Sequence, residues 1–469
     1  MTQAELKTTT ISRQTIDTYN PATEEVYITY YLHTKQEAEA LIEHSHQAFQ
    51  EWRKTSLEHR ATIIKKIAEL LRRDKANLAQ MMAKQMGKPL ALGEGEAEQC
   101  AAICEYTAEH GIDALADEER EISGGKKGII TYQPEGVILG MQPWNFPLYQ
   151  CIRYSIAVIM AGNTTVFKHD ESCFETAEAI QKIYEEAGLP KGVFSCLFVD
   201  GETADELIAH QHIRGVTFTG SASIGRLIAK ISAEHLKKNV LELGGSDAYL
   251  VLRDADIDLA VKTCVQGRVM NSGQTCIAAK RFIIEAPVYE EFRDKYVAAM
   301  KQVTFGDPTD SQNDMGPLAR VDLRDKLHQQ VQQSVMKGAS CLCGGEIPEQ
   351  KGAYYPATVL ENIQPSSPAY EDELFGPVAA LFKVADEAEA IELANSHRYG
   401  LGGGIFSKDE KRATRIAREE LDTGMVNING YAGPQANMPF GGVKESGYGR
   451  EHGGFGMKEF VNAKSLFIS

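Results

Sequence analysis

The first third of the chain has a helical pattern. Apolar residues recur at three- and four-residue spacing from Lys35 to Thr55 and again from Ser56 to Gln85. This spacing puts apolar side chains on one face of each segment and predicts two amphipathic helices. The pattern changes at GIITYQPEGVILGMQPW, residues 128–144, where two apolar runs flank a Pro-Glu-Gly turn. Short apolar runs beside turn residues predict strands.

Strand-like and helix-like segments alternate through the middle of the chain. The strand-like runs include TTVFKH, VFSCLFV, GVTFTG and NVLELGG, and helical patterns such as FETAEAIQKIYEEAG separate them. This alternation predicts a parallel sheet with helices on both faces. A second alternating set runs from Ala248 to MVNING. We therefore predict two successive α/β domains with a boundary near Gly244 and Gly245.

Composition and charge narrow the class of protein. The 469 residues are 43% apolar and carry a net charge of -16, which argues against nucleic acid and against anionic membrane surfaces as partners. The first residues, MTQAELKTTTISRQ, lack the apolar core of a signal peptide, so we expect a cytoplasmic protein. The nine cysteines are scattered; we expect free thiols and no metal site.

One cysteine stands among small and polar residues. Cys276 lies in NSGQTCIAAKR, after a helix-like stretch and before a strand-like one. Gly273, Gln274 and Thr275 suit a tight turn with open backbone amides. The thiol could perform chemistry or could simply fill space, and the local sequence leaves both interpretations open.

Two further polar residues have chemical potential. Glu242, in NVLELGG, lies between apolar residues at a strand end, where desolvation raises a carboxyl pKa toward the range of a general base; a paired buried carboxylate or a turn residue is the alternative. Asn145, in MQPWNFPLYQ, lies between Pro143 and Pro147. An amide held so firmly can donate to an oxyanion, or it can stabilise a turn.

Two segments resemble nucleotide-binding turns. VTFTGSASIG places a strand, a turn and a helix start in sequence, and free amides at a helix N-terminus attract anions. Ser221 would cap this helix and Gly225 would permit close approach; a well-capped turn without a ligand is the alternative. Lys168 and Glu171, in VFKHDE, follow another strand and could bind ribose hydroxyls, or could belong to a solvated loop.

Taken together, these motifs resemble those of the aldehyde dehydrogenases. PWNFP, FTGSxxxG, LELGG, NSGQTC, ELFGPV and PFGGVKESGYGRE occur in the family's order, and the resemblance runs from about Thr18 to the C-terminus. GRVMNSGQTCIAAKRFI and GMVNINGY look most like the shorter bacterial succinate-semialdehyde dehydrogenases. The resemblance implies oxidation of a small aldehyde to its acid.

The resemblance also implies a role for each motif residue. Cys276 would be the nucleophile and Glu242 the base, while Asn145 would form the oxyanion hole with the Cys276 amide. Arg153 and Phe146 would contact the substrate, with Arg153 pairing a substrate carboxylate; an arginine that caps a helix or bridges subunits is the alternative. The cofactor residues would be Gln142, Pro143, Trp144, Lys168, Glu171, Gly220, Ser221, Gly225, Leu243, Glu373 and Phe375.

The implied architecture has three parts. A Rossmann-type cofactor domain would comprise 1–116 and 136–243, an α/β catalytic domain 244–440, and a small β oligomerisation arm 117–135 and 441–469. We expect a homodimer or homotetramer. The expected cofactor is NAD, because the Glu171 carboxylate repels a ribose 2′-phosphate; NADP stays open because Lys168 attracts one.

Two positions depart from the family pattern. Many members have a lysine where this chain has Tyr154, and some semialdehyde enzymes have an arginine where this chain has Met270, with Arg268 two residues earlier. The substrate could therefore be another small aldehyde. A coenzyme-A-acylating enzyme and a non-enzymatic binding protein are rival interpretations, and the presence of Glu242 with Cys276 argues against both.

Overall fold

The computed structural model describes residues 13–468. The N-terminal segment MTQAELKTTTISRQ lies outside these residues except for Arg13 and Gln14. Within the described range, no helix is long and apolar enough to cross a membrane.

The helices surround two sheets. Both predicted N-terminal helices are present, and Ser56 caps the second by accepting a hydrogen bond from the His59 amide. In chain order the helices are α1 Lys35–Trp52, α2 Leu57–Met86, α3 Leu90–Ala114, α4 Pro147–Met160, α5 Phe174–Glu186, α6 Gly201–Leu207, α7 Ala222–Glu234, α8 Ile257–Val269, α9 Ala286–Met300, α10 Val321–Met336, α11 Pro368–Glu371, α12 Glu387–Asn395, α13 Glu410–Glu419 and α14 Phe455–Glu459.

The first sheet has six strands in the order β19-β9-β8-β5-β6-β7. All neighbours are parallel except β19, which is antiparallel to β9. Because the strands are parallel, their carboxyl ends share one edge, where α/β sheets bind ligands. The strands are β5 Val137–Gln142, β6 Thr164–His169, β7 Phe194–Cys196, β8 Ile213–Thr219, β9 Lys238–Glu242 and β19 Gly447–Tyr448.

The second sheet has seven strands in the order β12-β13-β14-β11-β10-β16-β17. Only its edge strand β12 is antiparallel to its neighbour. Apart from one exposed residue, the four central strands β14, β11, β10 and β16 are buried, as expected for a parallel sheet covered on both faces. The strands are β10 Asp247–Val251, β11 Ala279–Glu285, β12 Ser340–Cys343, β13 Thr358–Glu361, β14 Val378–Val384, β16 Gly403–Phe406 and β17 Asn427–Ile428.

A three-stranded antiparallel sheet forms a separate arm. Its strands are β3 Glu118–Ile122, β4 Lys126–Pro134 and β20 Val461–Ile468, in the order β20-β4-β3. Two small ribbons complete the described strands: β1 Thr15–Asn20 with β2 Glu25–Tyr31, and β15 Tyr399–Gly400 with β18 Val443–Lys444.

The C-terminal segment divides differently from the sequence-based expectation. We expected all of 441–469 in the arm, but β19 lies in the six-stranded sheet, where Gly447 pairs with Glu242. A Cβ at Gly447 would lie 1.9 Å from the Leu241 carbonyl oxygen, so the absence of a side chain allows this close approach. Within 441–468, β20 is the strand that joins the arm, where it pairs with β4.

Candidate active site

The Cys276 turn follows α8 and has an unusual backbone. Asn271 and Ser272 adopt left-handed conformations with φ of 54° and 53°, which are uncommon for residues other than glycine. Several hydrogen bonds hold the turn. Among them, Asn271 Nδ2 donates to the Asn145 carbonyl at 2.8 Å, Ser272 Oγ to the Gly316 carbonyl at 2.8 Å, and Arg268 Nη2 to the Gly273 carbonyl at 2.7 Å.

The Cys276 thiol is half-buried beside Ile277, Leu401 and Phe440. Burial raises its pKa to about 11, whereas the cations of Lys280 and Arg153 lower it. The Cys276 amide donates to no other residue within 13–468. The turn therefore presents a thiol together with a free N–H donor.

Asn145 lies directly against this turn. Its Nδ2 donates to the Gln274 carbonyl at 3.1 Å, and its Oδ1 accepts from Gln150 Nε2 at 3.2 Å. Residues 142–146 connect β5 to α4, so this connection carries Gln142, Pro143, Trp144, Asn145 and Phe146 together. The side-chain amide and the Cys276 turn are thus adjacent, as an oxyanion hole requires.

A buried ion pair supports the segment that carries Asn145. Glu96 Oε1 accepts from the amides of Leu148 and Tyr149 at 2.9 Å each, which satisfies the first turn of α4. Its other oxygen pairs with Lys88, and both side chains are almost completely buried. The Lys88 ammonium also lies 3.9 Å from the centroid of the Phe146 ring.

Glu242 ends β9 and is 2% exposed. Neither carboxylate oxygen accepts a hydrogen bond from another described residue. Burial raises the pKa of Glu242 well above its ordinary value, Arg153 opposes this shift, and Glu451 adds to it. A carboxyl group with a raised pKa and unoccupied oxygens suits a general base.

The charge of the Arg153 guanidinium is already paired within the protein. Its side chain is 1% exposed and forms an ion pair through Nε with Glu451, and Nη2 donates to Thr219 Oγ1 at 2.8 Å. The guanidinium also lies 5.2 Å from the Tyr149 ring and 5.1 Å from the Phe440 ring. Nε and Nη2 thus both have polar partners, and Nη1 takes part in neither of these two contacts. The expected pairing with a substrate carboxylate would therefore have to use that nitrogen.

The turn from β8 to α7 fits an anionic ligand. Ser221 caps α7 by accepting from the Ile224 amide at 3.5 Å. A Cβ at Gly225 would lie 2.5 Å from the Leu243 side chain, so α7 packs closely against the end of β9. Nearby, both amide atoms of the buried Gln142 lack a partner in the described chain. These features are compatible with a dinucleotide at the carboxyl edge of the sheet.

The remaining predicted cofactor residues form two groups. Lys168, near the end of β6, pairs through Nζ with Glu171 Oε1 just beyond the strand, at 2.6 Å. Trp144 and Phe375 make an edge-to-face contact with ring centroids 5.7 Å apart. Glu373 Oε1 accepts from the Gly245 amide at 3.2 Å, so this carboxylate lies near the Glu242 strand end and the Cys276 turn.

Four buried charged residues of the site were not predicted from the sequence. They are Lys88, Glu96, Lys280 and Glu451. Lys280 lies within NSGQTCIAAKR and Glu451 within PFGGVKESGYGRE, so both were inside recognised motifs. Their charged partners, Glu373 for Lys280 and Arg153 for Glu451, lie far away in the sequence, so the motifs do not reveal them.

The sequence profile described as "Aldehyde dehydrogenase family" matches residues 8–466. The chain belongs to the aldehyde dehydrogenase family. Its curated relatives include a succinate semialdehyde dehydrogenase [NAD(P)+] of Escherichia coli (strain K12), 43% identical over 89% of this chain and 90% of the relative. A succinate-semialdehyde dehydrogenase [NADP(+)] of Deinococcus radiodurans is 42% identical over 95% and 93%. The predicted family membership is confirmed.

Solved aldehyde dehydrogenase structures share the fold. A succinic semialdehyde dehydrogenase from Streptococcus pyogenes, in complex with NADP+, has a TM-score of 0.94 and 36% identity, covering 96% of this chain and 99% of that one. A betaine aldehyde dehydrogenase from Staphylococcus aureus, in complex with NAD+, has a TM-score of 0.94 and 30% identity, covering 97% and 91%. The predicted α/β fold class is likewise confirmed.

Proposed function

We propose that this aldehyde dehydrogenase oxidises succinate semialdehyde to succinate, with NAD or NADP as the hydride acceptor. One arrangement supports this above all others. The Cys276 turn bonds directly to Asn145, and the buried Glu242 ends β9, in the same sheet as the strand that leads to Asn145, with both oxygens free of hydrogen bonds from other described residues. Nucleophile, oxyanion donor and base are thus all present.

Each residue has a defined step. The Cys276 thiolate adds to the aldehyde carbon and forms a thiohemiacetal, while the Asn145 amide and the Cys276 N–H donate to the carbonyl oxygen. A nicotinamide cofactor, which Gln142, Trp144 and Phe375 would help to hold, would supply the acceptor for the hydride that leaves the same carbon. Glu242 then takes a proton from the water that attacks the thioester on Cys276. The acid departs and the thiolate is restored.

The choice of water over coenzyme A follows from Glu242. A carboxylate that is kept free of protein partners beside the thioester favours activation of water. Transfer to a thiol cofactor needs no such base. The presence of both Cys276 and Glu242 also argues against a binding protein without activity.

The relatives named as succinate-semialdehyde dehydrogenases support the substrate assignment. In this chain, Arg153 remains the proposed anchor for the substrate carboxylate through Nη1. Because Glu451 already balances its charge, we expect a weaker anchor than a free arginine would give. Phe146, held by Lys88, would lie along the path of the aldehyde.

A direct assay tests this proposal. Formation of reduced nicotinamide is followed at 340 nm with succinate semialdehyde and with butyraldehyde, which has a similar length and no charge. We expect higher kcat/KM for the first, and Arg153→Ala should raise KM for succinate semialdehyde much more than for butyraldehyde. Equal changes in both would assign Arg153 to structure alone, and Arg153→Lys, which keeps a charge for Glu451, controls for loss of folding.

The cofactor preference rests on the Lys168–Glu171 pair. A carboxylate beside the ribose opposes a 2′-phosphate, whereas the lysine attracts one, and their contact at 2.6 Å balances the two charges. We propose that both cofactors are used and that NAD is favoured.

Assembly and location complete the proposal. Within the arm, Leu466, Phe467 and Ile468 are 40%, 75% and 49% exposed on the terminal strand β20. Apolar side chains on an open edge strand favour pairing with another copy. We propose that the protein is cytoplasmic and forms a homodimer or a homotetramer. Light scattering would identify which of the two assemblies forms.

A further inference from the structure

Lys280 is a buried cation in β11, four residues after Cys276. Its side chain is 1% exposed. The adjacent Arg281 donates to the carbonyls of Ser246, Leu393 and Ala394. Because neighbouring side chains in a strand point to opposite faces, Lys280 points away from these partners and toward the Cys276 turn.

The ammonium group of Lys280 has three polar partners at the active site. Nζ donates to the Thr275 carbonyl at 2.9 Å and to the Cys276 carbonyl at 2.6 Å, and it lies 3.3 Å from Glu373 Oε1. An ammonium has three N–H donors. Two of its partners belong to the nucleophile turn, and the third is the Glu373 carboxylate, one of the expected cofactor residues.

Glu373 extends this connection to the strand that carries the base. The Gly245 amide donates to Glu373 Oε1 at 3.2 Å. A Cβ at Gly244 would lie 2.5 Å from Glu373 Oε2, and a Cβ at Gly245 would lie 2.7 Å from the Cys276 carbonyl oxygen. Three separate segments therefore meet around Lys280 without room for additional atoms.

We infer that Lys280 is a positioning residue that fixes the Cys276 turn and the Glu373 carboxylate to each other, so that thiol reactivity and cofactor binding depend on the same side chain. This inference rests on the proposed function, because the resemblance to aldehyde dehydrogenases gives Glu373 its expected cofactor role. A lysine that only balanced charge would need a carboxylate as its partner and no main-chain oxygens. Lys280 instead directs two of its three donors to main-chain oxygens of the nucleophile turn.

The charge of Lys280 also acts on the thiol. Burial raises the pKa of Cys276 to about 11, and among the charged groups that act on the thiol, Lys280 and Arg153 lower this pKa while Glu373 and Asp247 raise it. A cation at a few ångströms lowers a pKa by about one unit or more. Removing Lys280 should therefore move thiol reactivity to higher pH.

Lys280→Met tests the inference in the full-length protein. The alkylation rate of Cys276 by iodoacetamide is measured against pH by mass spectrometry of its peptide, with the exposed Cys341 as internal reference. We expect the Cys276 profile to shift upward by about one pH unit and the Cys341 profile to stay in place. NADH binding, followed by fluorescence, should weaken about tenfold.

Two further variants separate positioning from stability. Lys280→Arg keeps the charge and donors and should recover most of the alkylation profile. Arg281→Met removes the adjacent buried cation, which bonds elsewhere, and should leave the Cys276 profile unchanged. An unchanged profile in Lys280→Met, or an equal shift in Arg281→Met, would overturn the inference.

If Lys280→Met does not fold, Lys280→Gln takes its place, because it removes the charge and keeps an N–H donor beside the turn while Glu373, which raises the pKa of Cys276, is unchanged. Its Cys276 profile should still shift upward, and an unshifted profile would again overturn the inference. Alkylation requires no aldehyde. A protein that oxidises no aldehyde would therefore refute the proposed function, while the alkylation profiles would still decide the role of Lys280.

Discussion

The Lys88–Glu96 pair offers a quantitative test of how the oxyanion donor is supported. The two side chains are 0% and 1% exposed, so solvent does not screen them. Lys88→Met leaves the Glu96 carboxylate buried and without its cation, although it keeps the amides of Leu148 and Tyr149. Breaking a buried pair in this way costs about 3–5 kcal/mol of stability.

The double variant Lys88→Met/Glu96→Gln should cost less than Lys88→Met. A glutamine retains an oxygen for the two α4 amides and needs no cation. Since both charges are removed together, we expect a cost of about 1–2 kcal/mol, so Glu96→Gln should restore about 2–3 kcal/mol of stability in the Lys88→Met background.

Urea unfolding followed by tryptophan fluorescence measures these differences in stability. Trp144 reports on this region because it lies two residues before Phe146, whose ring contacts Lys88. The turnover number of each variant is measured in parallel. Lys88→Met should also lower kcat, since the segment that carries Asn145 loses its support. A double variant as unstable as Lys88→Met would refute the idea that the unpaired charge is the main cost.

Other predictions concern the chemistry. Cys276→Ala should abolish turnover while leaving NADH affinity within about twofold; appreciable residual turnover would indicate another nucleophile. Glu242→Gln should release one equivalent of reduced cofactor in a burst followed by slow turnover, and loss of the burst itself would contradict the assignment as base. Because burial raises the pKa of Glu242 and only the carboxylate accepts a proton, wild-type hydrolysis should increase with pH through that raised pKa, and rapid-quench rates for Glu242→Gln should lack the increase. Glu171→Gln should raise kcat/KM for NADP relative to NAD; an unchanged ratio would mean that Glu171 lies away from the 2′ position.

Local patterns were sufficient for the elements that form within one segment. Helical spacing predicted α1 and α2, and the alternation of strands and helices predicted both parallel sheets. Cys276, Glu242 and Asn145 each lie at the end of such an element, where the neighbouring residues already indicate a turn. The structure brings their segments together, whereas their catalytic roles stay predictions.

Long-range pairs could not be predicted in the same way. Arg153 was expected to face a substrate, yet it contacts Glu451 near the other end of the chain. The left-handed backbone at Asn271 and Ser272 was also not predicted, because neither residue is glycine. Such conformations persist only where surrounding contacts impose them, and those contacts come from distant residues.

The placement of β19 has a consequence for synthesis of the protein. Gly447, which pairs with Glu242, and Ser446, whose carbonyl accepts from the Leu243 amide at 3.0 Å, are synthesised long after the catalytic segments. A nascent chain that already contains Cys276, Glu242 and Asn145 therefore still has an uncovered edge beside its base. Activity should emerge only once β19 has been synthesised and has paired with β9, so a chain interrupted before Gly447 could not consume aldehyde or cofactor.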